Sequence, residues 1–222
     1  METRLAPTFA GTTQGAEAEA VLRACVHCGF CNATCPTYRL LGDELDGPRG
    51  RIYQIKQVLE GVPATALTQL HLDRCLTCRN CETTCPSGVE YVRLLDIGRA
   101  LVDAQVPRPA GARMRRWLLR TGLTRGELFG GALRLARALR PLLPARLRAT
   151  LGPARPAGAW PERRHARRVL LLRSCTQGAL APSIDAATAR VLDAIGIEAQ
   201  IDPRSGCCGA IRHHLSDQPG GL

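Results

Sequence analysis

Cys25–Pro36 reads CVHCGFCNATCP and Cys75–Pro86 reads CLTCRNCETTCP. Both obey C-x2-C-x2-C-x3-C-P, and the second copy begins 50 residues after the first. Three cysteines separated by two residues each can wrap one face of an iron–sulfur cube from a single loop. The fourth follows three residues later and points away from that face. Pro36 and Pro86 then remove a backbone donor and fix φ, which ends the loop and turns the chain. In paired runs of this kind the fourth cysteine ligates the cluster held by the other run. The spacing therefore assigns Cys25, Cys28, Cys31 and Cys85 to one [4Fe–4S] cluster, and Cys75, Cys78, Cys81 and Cys35 to a second. Structural zinc, the competing reading, uses well-separated cysteine pairs with four ligands per ion, a pattern these runs do not follow. Eight thiolates complete both clusters, which leaves His27 and His71 as neighbours of the runs or surface residues.

Outward from the runs the pattern turns helical. Ile52, Ile55 and Val58 or Leu59 recur at helical spacing, so residues 50–59 are expected to form a helix. Residues 64–72 and 89–102 carry the same signal. These helices would pack around the cysteine loops and exclude water.

The chain has 222 residues, 11 cysteines and a formal net charge of +11. No aliphatic run exceeds Val169 to Leu172, far short of the ~20 residues that cross a bilayer. The N-terminal residues lack a charged-then-apolar pattern with a cleavage site. The expected location is therefore the cytoplasm, where thiols stay reduced and clustered cysteines serve metal or redox chemistry.

The charge is concentrated. Residues 104–173 hold 17 arginines against Glu127 and Glu162, whereas the flanking segments are each slightly acidic. The cysteines avoid that basic block. Three parts follow: a two-cluster domain at 1–105, an arginine-rich helical connector and linker at 106–165, and a cysteine-containing segment at 166–222. Residues 131–140 form an amphipathic helix with a basic face, which Pro141 and Pro144 break. It reads as a solvated connector, as a helix on an anionic membrane surface, or as a dock for an acidic partner. Nucleic acid is not expected, because aromatic residues for base stacking are scarce.

In the last segment, residues 168–172 suit a buried strand, 182–195 a helix and 197–201 a second strand. This βαβ unit brings both strand C-termini to one sheet edge. Cys175 and the Cys207–Cys208 pair follow those ends, so they are expected to be neighbours. Gly206 and Gly209 flank the pair and permit close backbone approach to a ligand. A cofactor or redox site is favoured over buried structural cysteines, with His213 and His214 as surface residues.

Two such runs followed by a Cys-Cys-Gly element resemble the iron–sulfur subunits of an oxidoreductase group. It includes heterodisulfide reductase, lactate-utilisation proteins, and the iron–sulfur subunits of anaerobic glycerol-3-phosphate dehydrogenase and of glycolate oxidase. The intervening GDELDGPRGRIYQIK (Gly42 to Lys56) and GCCGAIRHHL (Gly206 to Leu215) draw the resemblance toward the glycolate oxidase family. The resemblance implies a mainly α fold, with a helical-ferredoxin two-cluster module followed by a partial α/β CCG cysteine-rich domain. In that family further cysteines and a second repeat follow the CCG element, whereas this chain stops 13 residues after Gly209; the expectation is a C-terminally truncated form. Because the chain carries no G-x-G-x-x-G fingerprint, the resemblance places FAD on a partner subunit, where glycolate would become glyoxylate. The two clusters would relay electrons to a membrane or quinone acceptor, with the chain peripheral on the cytoplasmic face of the inner membrane. A related lactate or glycerol-3-phosphate dehydrogenase and a non-catalytic cluster-bearing scaffold are the alternatives.

Overall fold

The computed structural model describes residues 1–152, 156–172, 175–202 and 206–221. They fall into two compact units, Met1–Pro109 and Ala110–Leu222.

The first unit is built from helices. Its long members are α1 (Thr13–Ala24), α4 (Pro48–Leu59), α5 (Ala66–Asp73) and α7 (Tyr91–Gln105). Between them lie three short ones: α2 (Phe30–Ala33), α3 (Pro36–Leu41) and α6 (Asn80–Thr83). Local chemistry sets the ends. The Thr12 side chain accepts the Gly15 N–H at 3.0 Å to start α1, and Thr65 with Thr68 forms a capping box on α5. Pro48 opens α4, where its missing N–H costs nothing. The helix expected from residue 89 begins instead at Tyr91, because Val89 is spent on a turn whose carbonyl accepts the Tyr91 N–H.

Leu22, Ile55, Leu59, Leu72, Leu94 and Leu95 are fully buried and join α1, α4, α5 and α7 in one core. Gly98 lets α4 and α7 approach closely: a Cβ there would lie 2.6 Å from Ile55 Cγ1. The cysteine runs sit over this core, and α2 packs against α6.

The second unit holds α8 (Ala110–Gly122), α9 (Gly126–Ala138), α10 (Ala145–Thr150), α11 (Gln177–Leu180), α12 (Pro182–Ala194), α13 (Ala210–His214) and α14 (Gln218–Gly221). Its two strands, β1 (Arg167–Leu171) and β2 (Ile197–Ile201), are parallel, with Arg167 opposite Ile197. The arginine-bearing helices pack into this unit, α9 on α11 and α8 on α13. The basic helix expected at 131–140 starts earlier and ends at Ala138. Gly152 to Pro161, whose composition suits a linker, lies partly outside the described residues.

One expectation is overturned. Residues 168–172 suit a buried strand, yet Leu170 is 57% exposed and Val169 36%. Among the described residues the sheet has two strands, and α12 packs chiefly against β2. A parallel strand needs cover on both faces, and among the described residues β1 has little. Among the described residues, no helix is long and apolar enough to cross a membrane.

Candidate metal centres

The two cysteine loops repeat one backbone shape. The second spacer residue of each run is left-handed, His27 at φ 59° and Thr77 at φ 56°. So is the residue after the second cysteine, Gly29 at 88° and Arg79 at 62°. Gly29 serves twice, since a Cβ would also meet Arg49 Nη1 at 2.5 Å. Arg79 adopts the shape without that freedom and is held by Glu82 Oε2 at 2.6 Å. Glu82 Oε1 in turn accepts the Val92 N–H at 2.9 Å, which ties the second loop to the start of α7. Arg99 of α7 donates to the carbonyls of Leu72 and Cys75, at 2.9 Å and 2.8 Å from Nη2.

This geometry creates two cavities. Cys25, Cys28, Cys31 and Cys85 line the first, with His27, Arg49, Cys81 and Tyr91. Cys35, Cys75, Cys78 and Cys81 line the second, with Thr37, Arg51 and Tyr91. Each cavity thus gathers three cysteines of one run and the fourth of the other. Cys81, Tyr91 and Pro48 border both. Cys25, Cys35 and Cys81 are buried, whereas Cys28 and Cys78 are exposed at the rim.

The residues fit iron–sulfur groups. Each cavity is lined by the four cysteines that one cluster needs. A tetrahedral zinc site would bring its sulfurs to about 3.8 Å from one another, given Zn–S bonds of ~2.3 Å. Among the described residues, the group of three ligand-bearing side chains converging within 4.8 Å is Asp43, Asp46 and His71, not a cysteine set. The thiols therefore surround rooms, and soft thiolates suit iron–sulfur clusters.

Burial and neighbouring thiols, Cys25 first, push Cys31 up to about 11. Burial and Cys75 push Cys81 up to about 12. Without metal these thiols hold their protons, so metal binding must displace them.

The two histidines differ. His27 lines the first cavity, its Nδ1 2.9 Å from Met1 Sδ. Burial and the Arg49 charge lower its pKa. His71 is buried away from the cysteines, with Nδ1 3.0 Å from Asp46 Oδ1. Asp46 also accepts from Arg51 at 3.3 Å and Arg74 at 2.8 Å. Arg51, Arg99, Thr37 and Tyr91 escaped the sequence reading. For Arg51 a signal existed: it shares the apolar stripe of Ile55 and Val58 at helical spacing, where a charge needs a partner.

Cys175, Cys207 and Cys208 do come together. Burial, then a hydrogen bond and charge from Cys207, raise the Cys175 thiol, and Cys208 adds to the effect. Cys207 and Cys208 are exposed and Cys175 partly so, unlike buried packing cysteines.

Comparison with known proteins agrees with this geometry. Residues 21–89 match a 4Fe-4S dicluster domain, and residues 169–220 match the cysteine-rich domain termed CCG. The glycolate oxidase iron–sulfur subunit of Escherichia coli (strain K12) is 55% identical over 224 residues, covering all of this chain and 55% of that protein. The probable glycolate oxidase iron–sulfur subunit of Bacillus subtilis (strain 168) is 29% identical over 239 residues, covering 90% of this chain and 51% of its own. A subunit of the ferredoxin:CoB-CoM heterodisulfide reductase of Methanosarcina mazei is 28% identical over 103 residues, 45% of this chain and 58% of that protein. The chain spans about half the length of the glycolate oxidase relatives it matches. No solved structure gives a significant match. The chain joins a segment that matches a 4Fe-4S dicluster domain to one that matches a CCG cysteine-rich domain, and along its whole length it is similar to the glycolate oxidase iron–sulfur subunit of Escherichia coli.

Proposed function

We propose that this chain is the electron-relaying part of the iron–sulfur subunit of a glycolate-oxidising enzyme and holds two [4Fe–4S] clusters. Cys25, Cys28, Cys31 and Cys85 hold the first, and Cys75, Cys78, Cys81 and Cys35 hold the second. The observation that carries this reading is the exchange of fourth cysteines between the two cavities. Each bound cluster supplies one-electron transfer. The chain's own residues orient and shield. Gly29 and Arg79 shape the loops, Arg99 clamps the second loop to α7, and Tyr91 with Pro48 borders both cavities. The 55% identity to a glycolate oxidase subunit supports glycolate as the substrate, oxidised to glyoxylate on a flavin subunit that carries FAD. A membrane or quinone acceptor would take the electrons. Cys175, Cys207 and Cys208 form an additional cofactor or redox site, and the hydrogen bond between Cys175 and Cys207 supports this.

The test is anaerobic reconstitution of the chain. About eight iron atoms per chain are expected, and about two iron atoms, or zinc alone, would sink the reading. Cys85→Ser should perturb the EPR signal of the cluster on the first run, and Cys35→Ser that of the second. If each change alters only the cluster of its own run, the exchange of fourth ligands is wrong.

A further inference from the structure

We propose that Arg51 makes the two clusters electrically unequal, so that the cluster on Cys35, Cys75, Cys78 and Cys81 has the higher reduction potential. This rests on the two-cluster reading above. It adds an order to the relay: the electron settles on the second cluster.

Arg51 is 0% exposed and lines the second cavity, not the first. Its Nε donates to the His71 carbonyl at 2.7 Å and its Nη1 to Thr37 Oγ1 at 3.2 Å. Its Nη2 donates to Asp46 Oδ1 at 3.3 Å. The guanidinium is therefore held in one place and cannot be screened by water. Asp46 answers both Arg51 and Arg74, so the cluster of charges keeps a surplus positive charge. Of these three residues only Arg51 borders the cavity. Adding an electron to a cluster adds a negative charge, and a fixed cation in a low-dielectric site stabilises the reduced form.

The sulfur contacts point the same way. Thr37 Oγ1 lies 3.2 Å from Cys35 Sγ, but it donates its proton to the Asp46 carbonyl at 2.9 Å while accepting from Arg51, so it positions the guanidinium beside the sulfur and is not counted as a donor to it. Tyr91 Oη donates to Cys75 Sγ at 3.7 Å. Donors to cluster sulfurs raise the potential. The first cavity has a weaker set. Its cation, Arg49, is paired with Glu44 at 2.6 Å and is 34% exposed, so solvent screens it. Cys31 Sγ faces Asn32 Oδ1 at 3.9 Å, an acceptor that would repel a thiolate.

The step concerned is a one-electron reduction in which no bond forms or breaks. The experiment is an EPR-monitored redox titration of the anaerobically reconstituted full chain, with dithionite as the electron source. Iron is counted first. Fewer than about eight atoms in the unmutated chain overturns the two-cluster reading itself, before any potential is read. The signal of the second cluster is identified by its change in Cys78→Ser. In the unmutated chain the second cluster should reduce first. Arg51→Gln should lower its reduction equilibrium at least tenfold, 59 mV for one electron, and move the first cluster by less. Arg51→Lys keeps the charge and should restore most of the difference. If Arg51→Gln fails to load iron, Tyr91→Phe decides, since it leaves the ion pairs intact, removes the donor to Cys75 Sγ and should lower the second potential alone. Equal shifts in both clusters, no shift, or a second cluster that reduces last in the unmutated chain would overturn the proposal.

Discussion

At the residue scale the first unit depends on one carboxylate. Asp46 is 0% exposed, yet it faces Arg51, Arg74 and His71. Burial works to raise its pKa, and the hydrogen bonds from His71 and Arg74 overcome that and lower it. Removing one partner from a buried pair costs about 3–5 kcal/mol, because the other charge is left uncompensated. Asp46→Asn should therefore accelerate hydrogen exchange in α4 and α5 at neutral pH, read by mass spectrometry. The sign with pH follows from the direction of the shift. The folded-state value lies below that of the unfolded chain, so the stabilisation is present above pH ~4 and is lost as pH falls through the folded value. Protection of α4 and α5 should weaken in acid in the unmutated chain, and the variant should lose the part due to Asp46. Equal protection in both proteins at neutral pH would show that Asp46 carries no such role. The spacing of the cysteines announced their chemistry, but nothing local announced this network. Its members lie up to 28 residues apart and meet only when α4 and α5 pack.

At the scale of elements, apolar periodicity located three of the first unit's four long helices, α4, α5 and α7, and missed α1. Ile52, Ile55 and Val58 mark the inner face of α4, and all three are buried. Periodicity did not say how close neighbouring helices lie. Gly98 carries that information for α4 and α7. Gly98→Ala gains roughly 0.8–1 kcal/mol of helix propensity, but its Cβ would sit 2.6 Å from a fully buried Ile55. Overpacking costs about 1–3 kcal/mol, so a lower thermal midpoint for cluster loss is expected. An unchanged or higher midpoint would mean that α4 and α7 can separate freely. α8 escaped the sequence reading although Met114, Trp117 and Leu118 stand at helical spacing on one face, with Arg113, Arg116 and Arg120 on the other. The strand β1 was read as buried from its apolar run, and burial depends on how many layers cover a strand, which the run itself does not encode.

For the whole molecule, eight of the 17 arginines in residues 104–173 fall on α8, α9 and α10. Met114, Trp117 and Leu118 are each more than half exposed there, beside arginines. An amphipathic helix with arginine on one face and Trp and Leu on the other suits an anionic lipid surface. The chain should co-sediment with vesicles containing anionic lipid at low salt and be released at high salt, since screening weakens the attraction. Trp117→Ala should reduce the bound fraction. Absence of binding at low salt would leave these helices as a solvated connector. The sequence by itself determined the cofactor chemistry, because thiol identity and loop spacing are local and a cluster loop needs only one short segment. It also determined the βαβ order of the second unit, which follows from alternating periodicities. Tertiary structure alone decided which cavity receives the buried Arg51 and that Asp46 meets His71 and Arg74. These are contacts between residues far apart in the chain, and they depend on how the helices and strands pack.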